Sequence, residues 1–157
     1  MQFLAEYRLA RRDEDLARLR RVLALRAMAA TGMSQREIAA ALGISQSAVS
    51  QQYKAAPDLR TVHPQTLLDA ASPILRELAE SRGFRDLAVF GSVARKSARA
   101  DSDIDLLVKP PRGTSISAMR DLQETFEQIL GRSVDLVSYG GLKPRIDDDV
   151  RREAVRL

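Results

Sequence analysis

The sequence predicts an α+β protein, with an all-helical N-terminal domain followed by a small α/β domain built on a short mixed sheet. Three observations carry that reading. Residues 1–55 show only helical apolar periodicity, punctuated by Gly32 and Gly43. Pro57 and Pro64 then bracket a stretch with no periodic pattern. From Gln65 onward, helical segments alternate with short apolar runs of a length suited to buried strands. The expected division is 1–56 for the helical domain, 57–64 for a linker and 65–157 for the second domain.

The first helix is marked by Leu16, Leu19 and Leu23 at helical spacing, with Asp15, Arg18 and Arg21 on the other face, and it is expected to run to about Ala30. Gly32 ends it, because glycine takes the left-handed conformation after a last turn without cost. Ser34 and Glu37 form a capping-box signature for a second helix through Ala41. Gly43 permits a tight turn, and Ser45 caps a third helix over Gln46 to Lys54. Ile38, Leu42, Ile44 and Val49 are expected to pin these helices together. His63 falls in the linker and is assigned no functional role.

In the second domain, Leu67, Leu68, Ile74, Leu75 and Leu78 predict a helix that bends at Pro73 and ends at Gly83. Strands are expected at 86–90, 104–109 and 134–137. A helix over 117–130 presents Met119, Leu122, Phe126 and Ile129, and Gly131 stops it. Arg145 to Val155 is expected to form a final charged helix.

Composition narrows the chemistry. Cysteine is absent and His63 is the sole histidine, which disfavours disulfides, thiolate zinc sites, a cysteine nucleophile and a Ser-His-Asp triad. Carboxylates remain as metal ligands, and oxygen donors suit magnesium or manganese. The start of the chain does not read as a leader and no apolar run is long enough to span a bilayer, so the expected location is the cytoplasm, away from membrane. Residues 1–64 carry ten Lys/Arg against six Asp/Glu, whereas residues 65–157 carry fifteen of each. The net positive charge therefore belongs to the helical domain, a pointer to nucleic acid there.

Asp103 and Asp105 stand two residues apart at the start of a strand, so both carboxylates project to one face while Ile104 and Leu106 project to the other. Two like charges this close are costly unless a cation offsets them. Gly91 and Ser92 follow directly on the preceding strand, and a chain reversal brings them beside those acids. Glycine allows phosphate to approach backbone amides, and the Ser92 hydroxyl can donate to a phosphate oxygen. A short helix from Ser92 through Ala98 would add its free amides, with Arg95, Lys96 and Arg99 supplying positive charge.

Gly91-Ser92, ten further residues, then Asp103-Ile104-Asp105 resembles the nucleotidyltransferase superfamily that includes polymerase beta. Gly91-Ser92-Val93-Ala94-Arg95 and Asp101 to Val108 are specifically similar to its minimal nucleotidyltransferase branch. The resemblance implies a third carboxylate one strand later, which Asp135 supplies. Asp103 and Asp105 would then hold Mg2+, with Mn2+ a substitute. Asp135 would complete the metal site or help deprotonate the acceptor hydroxyl, while Gly91, Ser92, Arg95 and Lys96 bind the nucleotide, ATP. The branch commonly has glycine after the arginine, where this chain has Lys96. The resulting turn is either altered or gains a phosphate contact.

Residues 14–55 resemble the helix-turn-helix of bacterial regulators, with Ala39, Gly43 and Val49 at the family's offsets. In that family the second helix of the pair enters the DNA major groove. Here it would present Ser45, Gln46, Ser47, Ser50 and Gln51, and glutamine pairs well with adenine.

Together the two resemblances imply an antitoxin of a type VII-like toxin-antitoxin system. Such a protein transfers AMP from ATP to a cognate HEPN-type toxin and represses its own operon by binding operator DNA as a homodimer or as a hetero-oligomer with the toxin. The alternative is a transcriptional regulator whose nucleotidyltransferase-like domain binds nucleotide or a partner without catalysis. Transfer to a small molecule such as an aminoglycoside ranks lower because no obvious further domain holds such an acceptor, and transfer to a tRNA end ranks lower because the helix-turn-helix does not suggest it.

Overall fold

The computed structural model describes residues 1–145 and 147–157. It divides into two compact units, Met1–Pro57 and Asp58–Leu157.

The first unit is three helices: α1 (Gln2–Ala30), α2 (Gln35–Leu42) and α3 (Gln46–Ala55). The capping box forms as the spacing demands. Ser34 Oγ accepts the Glu37 amide at 3.2 Å, and the Ser34 amide donates to Glu37 Oε2 at 2.7 Å. Gly43 closes α2 in the left-handed region at φ 67°, and Ser45 caps α3 by accepting the Ala48 amide at 3.0 Å. Leu25, Ile38, Ala39 and Val49 form the core, with Met28, Met33 and Tyr53 packed against it. The Tyr53 hydroxyl donates to the Leu25 carbonyl at 2.9 Å, tying α3 to α1.

Two expected core residues lie elsewhere: Leu42 and Ile44 are 46% and 37% exposed. They flank Gly43, and the left-handed turn there directs them outward while Ile38 and Val49 fill the interior. The N-terminal turns of α1 are also exposed, including Phe3, Leu4, Tyr7 and Leu9.

The second unit contains α4 (Pro64–Ser81), β1 (Arg85–Phe90), α5 (Gly91–Ala94), β2 (Ile104–Lys109), α6 (Ile116–Leu130), β3 (Val134–Ser138), α7 (Asp148–Glu153) and β4 (Val155–Arg156). The sheet order is β3-β2-β1-β4. β2 and β3 are parallel, joined through α6, while β1 is antiparallel to both β2 and β4. Ile104, Leu106 and Val108 on one face of β2 are fully buried, as are Leu67, Leu75, Leu122, Phe126 and Ile129 on α4 and α6.

The opposite face has its own smaller cluster. Ala88, Leu107 and Leu142 are buried there, with Phe90, Val137, Tyr139, Val150 and Ala154 packed around them. α7 is thus shorter than the helix expected over 145–155, and the chain turns into a fourth strand that pairs Val155 with Val89 and Arg156 with Ala88. β-branched Val155 and a free edge of β1 favour strand over further helix there. Of that expected helix, Ile146 lies outside the described residues.

The expected linker 57–64 is in large part structured within the second unit. Leu59 is buried, and Pro64 is the first residue of α4. His63 plays a structural part. Its Nδ1 accepts the Gln65 amide at 3.2 Å as the N-cap of α4, which leaves Nε2 to donate to the Ala98 carbonyl at 3.1 Å. Arg132 organises the same region. Its guanidinium donates to the carbonyls of Val62 and Ala100 at 2.7 Å, Arg60 at 2.8 Å, Ser102 at 3.1 Å and Leu59 at 3.3 Å. One side chain thereby fixes the loop that delivers Asp103 to β2. Arg132→Ala removes the guanidinium from all five carbonyls, of which Leu59 keeps the Val62 amide, and is expected to cost about 2–3 kcal/mol. Urea denaturation checks this, and an unchanged midpoint contradicts the role.

Candidate active site

The acids lie on the face of the sheet that carries the smaller cluster. Along β2 and β3 that face changes from apolar Leu107 and Val137 to acidic Asp105 and Asp135, which are partners in parallel register. Neighbouring positions in register share a face, so the two carboxylates project together. Asp103 lies just before β2 and is exposed, Asp135 is exposed, and Asp105 is half-buried.

β1 brings the glycine turn to the same place. Phe90 pairs with Asp105, and Gly91 follows at once as the first residue of α5. Gly91 has φ 71°, and a Cβ built on it would stand 2.2 Å from Asp105 Oδ2. Glycine is therefore required twice here, by backbone conformation and by the seating of a carboxylate against it. The spacing anticipates the close approach, but the group that makes it is Asp105.

Asp105 is electrostatically loaded. Burial pushes its carboxyl above the ordinary value, and the charges of Asp135, Asp103 and Glu153 push the same way, with Arg95 opposing them. A divalent cation would relieve that repulsion, and an all-carboxylate donor set suits a hard ion. Among the described residues, no three acidic or histidine side chains are gathered tightly enough to form a metal cluster as they stand. Asp103, Asp105 and Asp135 fit such an ion in chemistry and in shared location.

α5 is shorter than expected, ending at Ala94 instead of reaching Ala98. Arg95 caps it, and Lys96 takes the left-handed conformation at φ 57°. That is why glycine suits this position in the branch the sequence resembles: the turn keeps its shape and Lys96 carries the strain. A left-handed non-glycine residue costs about 1–2 kcal/mol, partly offset by the entropy that glycine loses on folding. Lys96→Gly is expected to raise the thermal midpoint by about 1–3 °C, measured by scanning calorimetry, and a fall in midpoint refutes the strain.

The four nucleotide-site candidates cluster in this turn: Gly91 is buried, Ser92 half-buried, and Arg95 and Lys96 exposed. Glu153, at the end of α7, joins them and was not legible in the sequence. Its carboxylate accepts the Gly91 amide at 3.0 Å and the Arg95 guanidinium at 3.0 and 3.2 Å.

In the first unit, Ser45, Gln46, Ser47 and Gln51 are exposed and Ser50 is half-buried, all at or along α3. The Ser45 hydroxyl caps the helix and lies 3.5 Å from the Ser47 hydroxyl, whereas the Gln46 and Gln51 side chains are exposed.

Residues 74–157 match the family described as polymerase beta, nucleotidyltransferase, and residues 15–57 match the homeodomain-like domain. Protein adenylyltransferase MntA of Thermococcus cleftensis is 42% identical over 80 residues, covering 51% of this chain and 81% of that protein. A protein of Methanocaldococcus jannaschii assigned as a protein adenylyltransferase is 36% identical over 73 residues, covering 46% of this chain and 78% of its own length. A solved structure assigned as a minimal nucleotidyltransferase superposes with a TM-score of 0.53 at 40% identity, covering 66% of this chain and 99% of that one.

Proposed function

Because the chain belongs to the polymerase beta nucleotidyltransferase family, we propose that it is an antitoxin-type protein adenylyltransferase, transferring AMP from ATP to a cognate HEPN-type toxin and binding its own operator DNA. The single observation that carries the enzymatic half is the seating of Asp105 against the Gly91 turn with Asp135 beside it in register. Relatives named as protein adenylyltransferases support a protein acceptor.

Asp103, Asp105 and Asp135 would hold Mg2+, with Mn2+ a substitute. When bound, the ion lowers the cost of charge at the α-phosphate and the departing pyrophosphate. Gly91 keeps the turn close to Asp105 without a side chain in the way. Ser92, Arg95 and Lys96 orient the triphosphate through hydrogen bonds and positive charge. Asp135, the more exposed of the strand acids, is available to take the proton of the acceptor hydroxyl.

The DNA half draws on the capped α2-turn-α3 unit, the basic balance of residues 1–64 and the exposed Gln46 and Gln51. Operator binding should weaken steeply with salt as counterions are released.

The test incubates the protein with α-labelled ATP, magnesium and the product of the adjacent gene, beside an Asp103→Ala, Asp105→Ala double variant. Label on the partner that disappears in the variant is expected. Transfer that is absent, or indifferent to the substitutions, removes the enzymatic half. A gel shift on the upstream promoter, with Gln46→Ala weakened relative to wild type, tests the other half.

A second reading is a regulator that binds nucleotide without turning it over. It needs only the nucleotide-binding turn of Gly91, Ser92, Arg95 and Lys96, in which Arg95 and Lys96 are exposed. Calorimetric ATP binding without pyrophosphate release selects it.

A further inference from the structure

A helix of four residues cannot hold itself. Nucleation fixes several backbone angles for each hydrogen bond gained, so a single turn persists only where outside contacts over-determine it. α5 is such a helix, and the nucleotide reading needs its shape. Val93 buries one side of it, and a further set of contacts comes from the far end of the chain. Glu153 accepts the amide of Gly91 at the start of α5 and the guanidinium of Arg95 at its end, so one carboxylate bridges both termini.

The side chain of Glu153 is 21% exposed, against 54% for Arg95. Its backbone is anchored on both sides. Before it, α7 packs Val150 into the smaller cluster, and after it Val155 and Arg156 pair with β1, the strand that runs into Gly91. β4 has only two residues, and the Leu157 amide adds a bond to the Leu87 carbonyl. Closing the chain onto β1 therefore sets where Glu153 stands relative to the turn.

We propose that Glu153 is a positioning residue for nucleotide transfer, clamping the Gly91–Arg95 turn and aiming the Arg95 guanidinium at the triphosphate. This rests on the nucleotidyltransferase reading. A carboxylate between two donors also resembles a stand-in for phosphate, which ATP would have to displace. Two features favour the clamp. Arg95 has further donors for a phosphate beyond the one nitrogen that meets Glu153. In addition, Gly91 lies against Asp105, so an acid that fixes Gly91 stiffens the seat of Asp105 as well.

The two alternatives move ATP affinity in opposite directions. The experiment compares wild type, Glu153→Gln and Glu153→Ala in the full chain, measuring ATP affinity with magnesium by calorimetry, KM and kcat for AMP transfer, and amide hydrogen exchange over residues 90–98. Glu153→Ala is expected to weaken ATP affinity and raise KM about tenfold or more, with kcat falling less and exchange at Gly91 accelerating at least tenfold. Glu153→Gln keeps a neutral acceptor for the Gly91 amide and should recover the exchange protection while leaving KM raised, because the ion pair to Arg95 is gone. A structural role alone would move the midpoint of unfolding in both variants without separating KM from kcat.

Tighter ATP binding in Glu153→Ala overturns the proposal in favour of the phosphate stand-in, and unchanged affinity with unchanged exchange overturns it outright. If wild type binds no ATP, the nucleotidyltransferase reading fails instead, and the exchange data alone decide whether Glu153 clamps the turn.

Discussion

Asp105→Asn is expected to make the protein more stable at neutral pH while lowering AMP transfer by about a thousandfold, the scale of losing one charge-stabilising group at a reaction centre. The stability half follows from the direction in which Asp105 is pushed. Burial, and then the charges of Asp135 and Asp103, raise its carboxyl above the ordinary 3.8. The folded protein thus holds this proton more tightly than the unfolded chain does. Stability is consequently lost as pH climbs from the unfolded value through the raised folded one, and the whole loss is in place above it. Asparagine is neutral throughout. Its advantage should be full above the raised folded value and vanish below the ordinary carboxylate range, in buffer containing EDTA so that no divalent ion relieves the acids. Thermal melts of both proteins across that range check the sign. A variant less stable than wild type at pH 7, or a gain that grows toward low pH, contradicts the assignment of Asp105 as a strained acid.

The strain on Asp105 also explains which parts of the site could be read from sequence. Local signals were sufficient where one residue's chemistry acts on its neighbours. Ser34 with Glu37 and Ser45 with Ala48 cap their helices as spacing alone requires, and the two-residue period places Ile104 and Leu106 in the core and Asp105 on the other face. That the Gly91 turn lies beside the acids was legible because a chain reversal of ten residues leaves few places for it to go, whereas the packing of Asp105 itself on Gly91 was not. Glu153 and Arg132 were invisible for the opposite reason. Each acts on segments dozens of positions away, and on backbone groups that have no sequence signature. The charged pattern of 147–153 matches any solvated helix, so nothing in it distinguishes the acid that faces the turn. Leu42 and Ile44 failed in the other direction. Their apolar character suggests the core, but the left-handed Gly43 between them determines which way they face.

Gly91→Ala is the second large effect, and it separates the two demands made on that glycine. The new Cβ would meet Asp105 Oδ2 at 2.2 Å, with Cγ at 3.1 Å and Cβ at 3.3 Å. The colliding atom is the end of a side chain and can swing away, but the movement displaces the acid that the site depends on. Independently, φ 71° strains any residue with a Cβ, at about 1–2 kcal/mol. AMP transfer should therefore fall at least a hundredfold, while stability falls by about 2–3 kcal/mol as strain and displacement combine. A double-mutant cycle with Asp105→Ala partitions the two. Once the carboxylate is gone, Gly91→Ala has the backbone strain and the 3.3 Å approach of the remaining Cβ to bear, so its cost should drop toward the roughly 1–2 kcal/mol of a left-handed alanine. The difference between the two backgrounds measures the contact between Gly91 and Asp105. A cost that is the same with and without the Asp105 carboxylate would show that the two residues are not in contact, and the close seating of the acid against the turn would be lost with it.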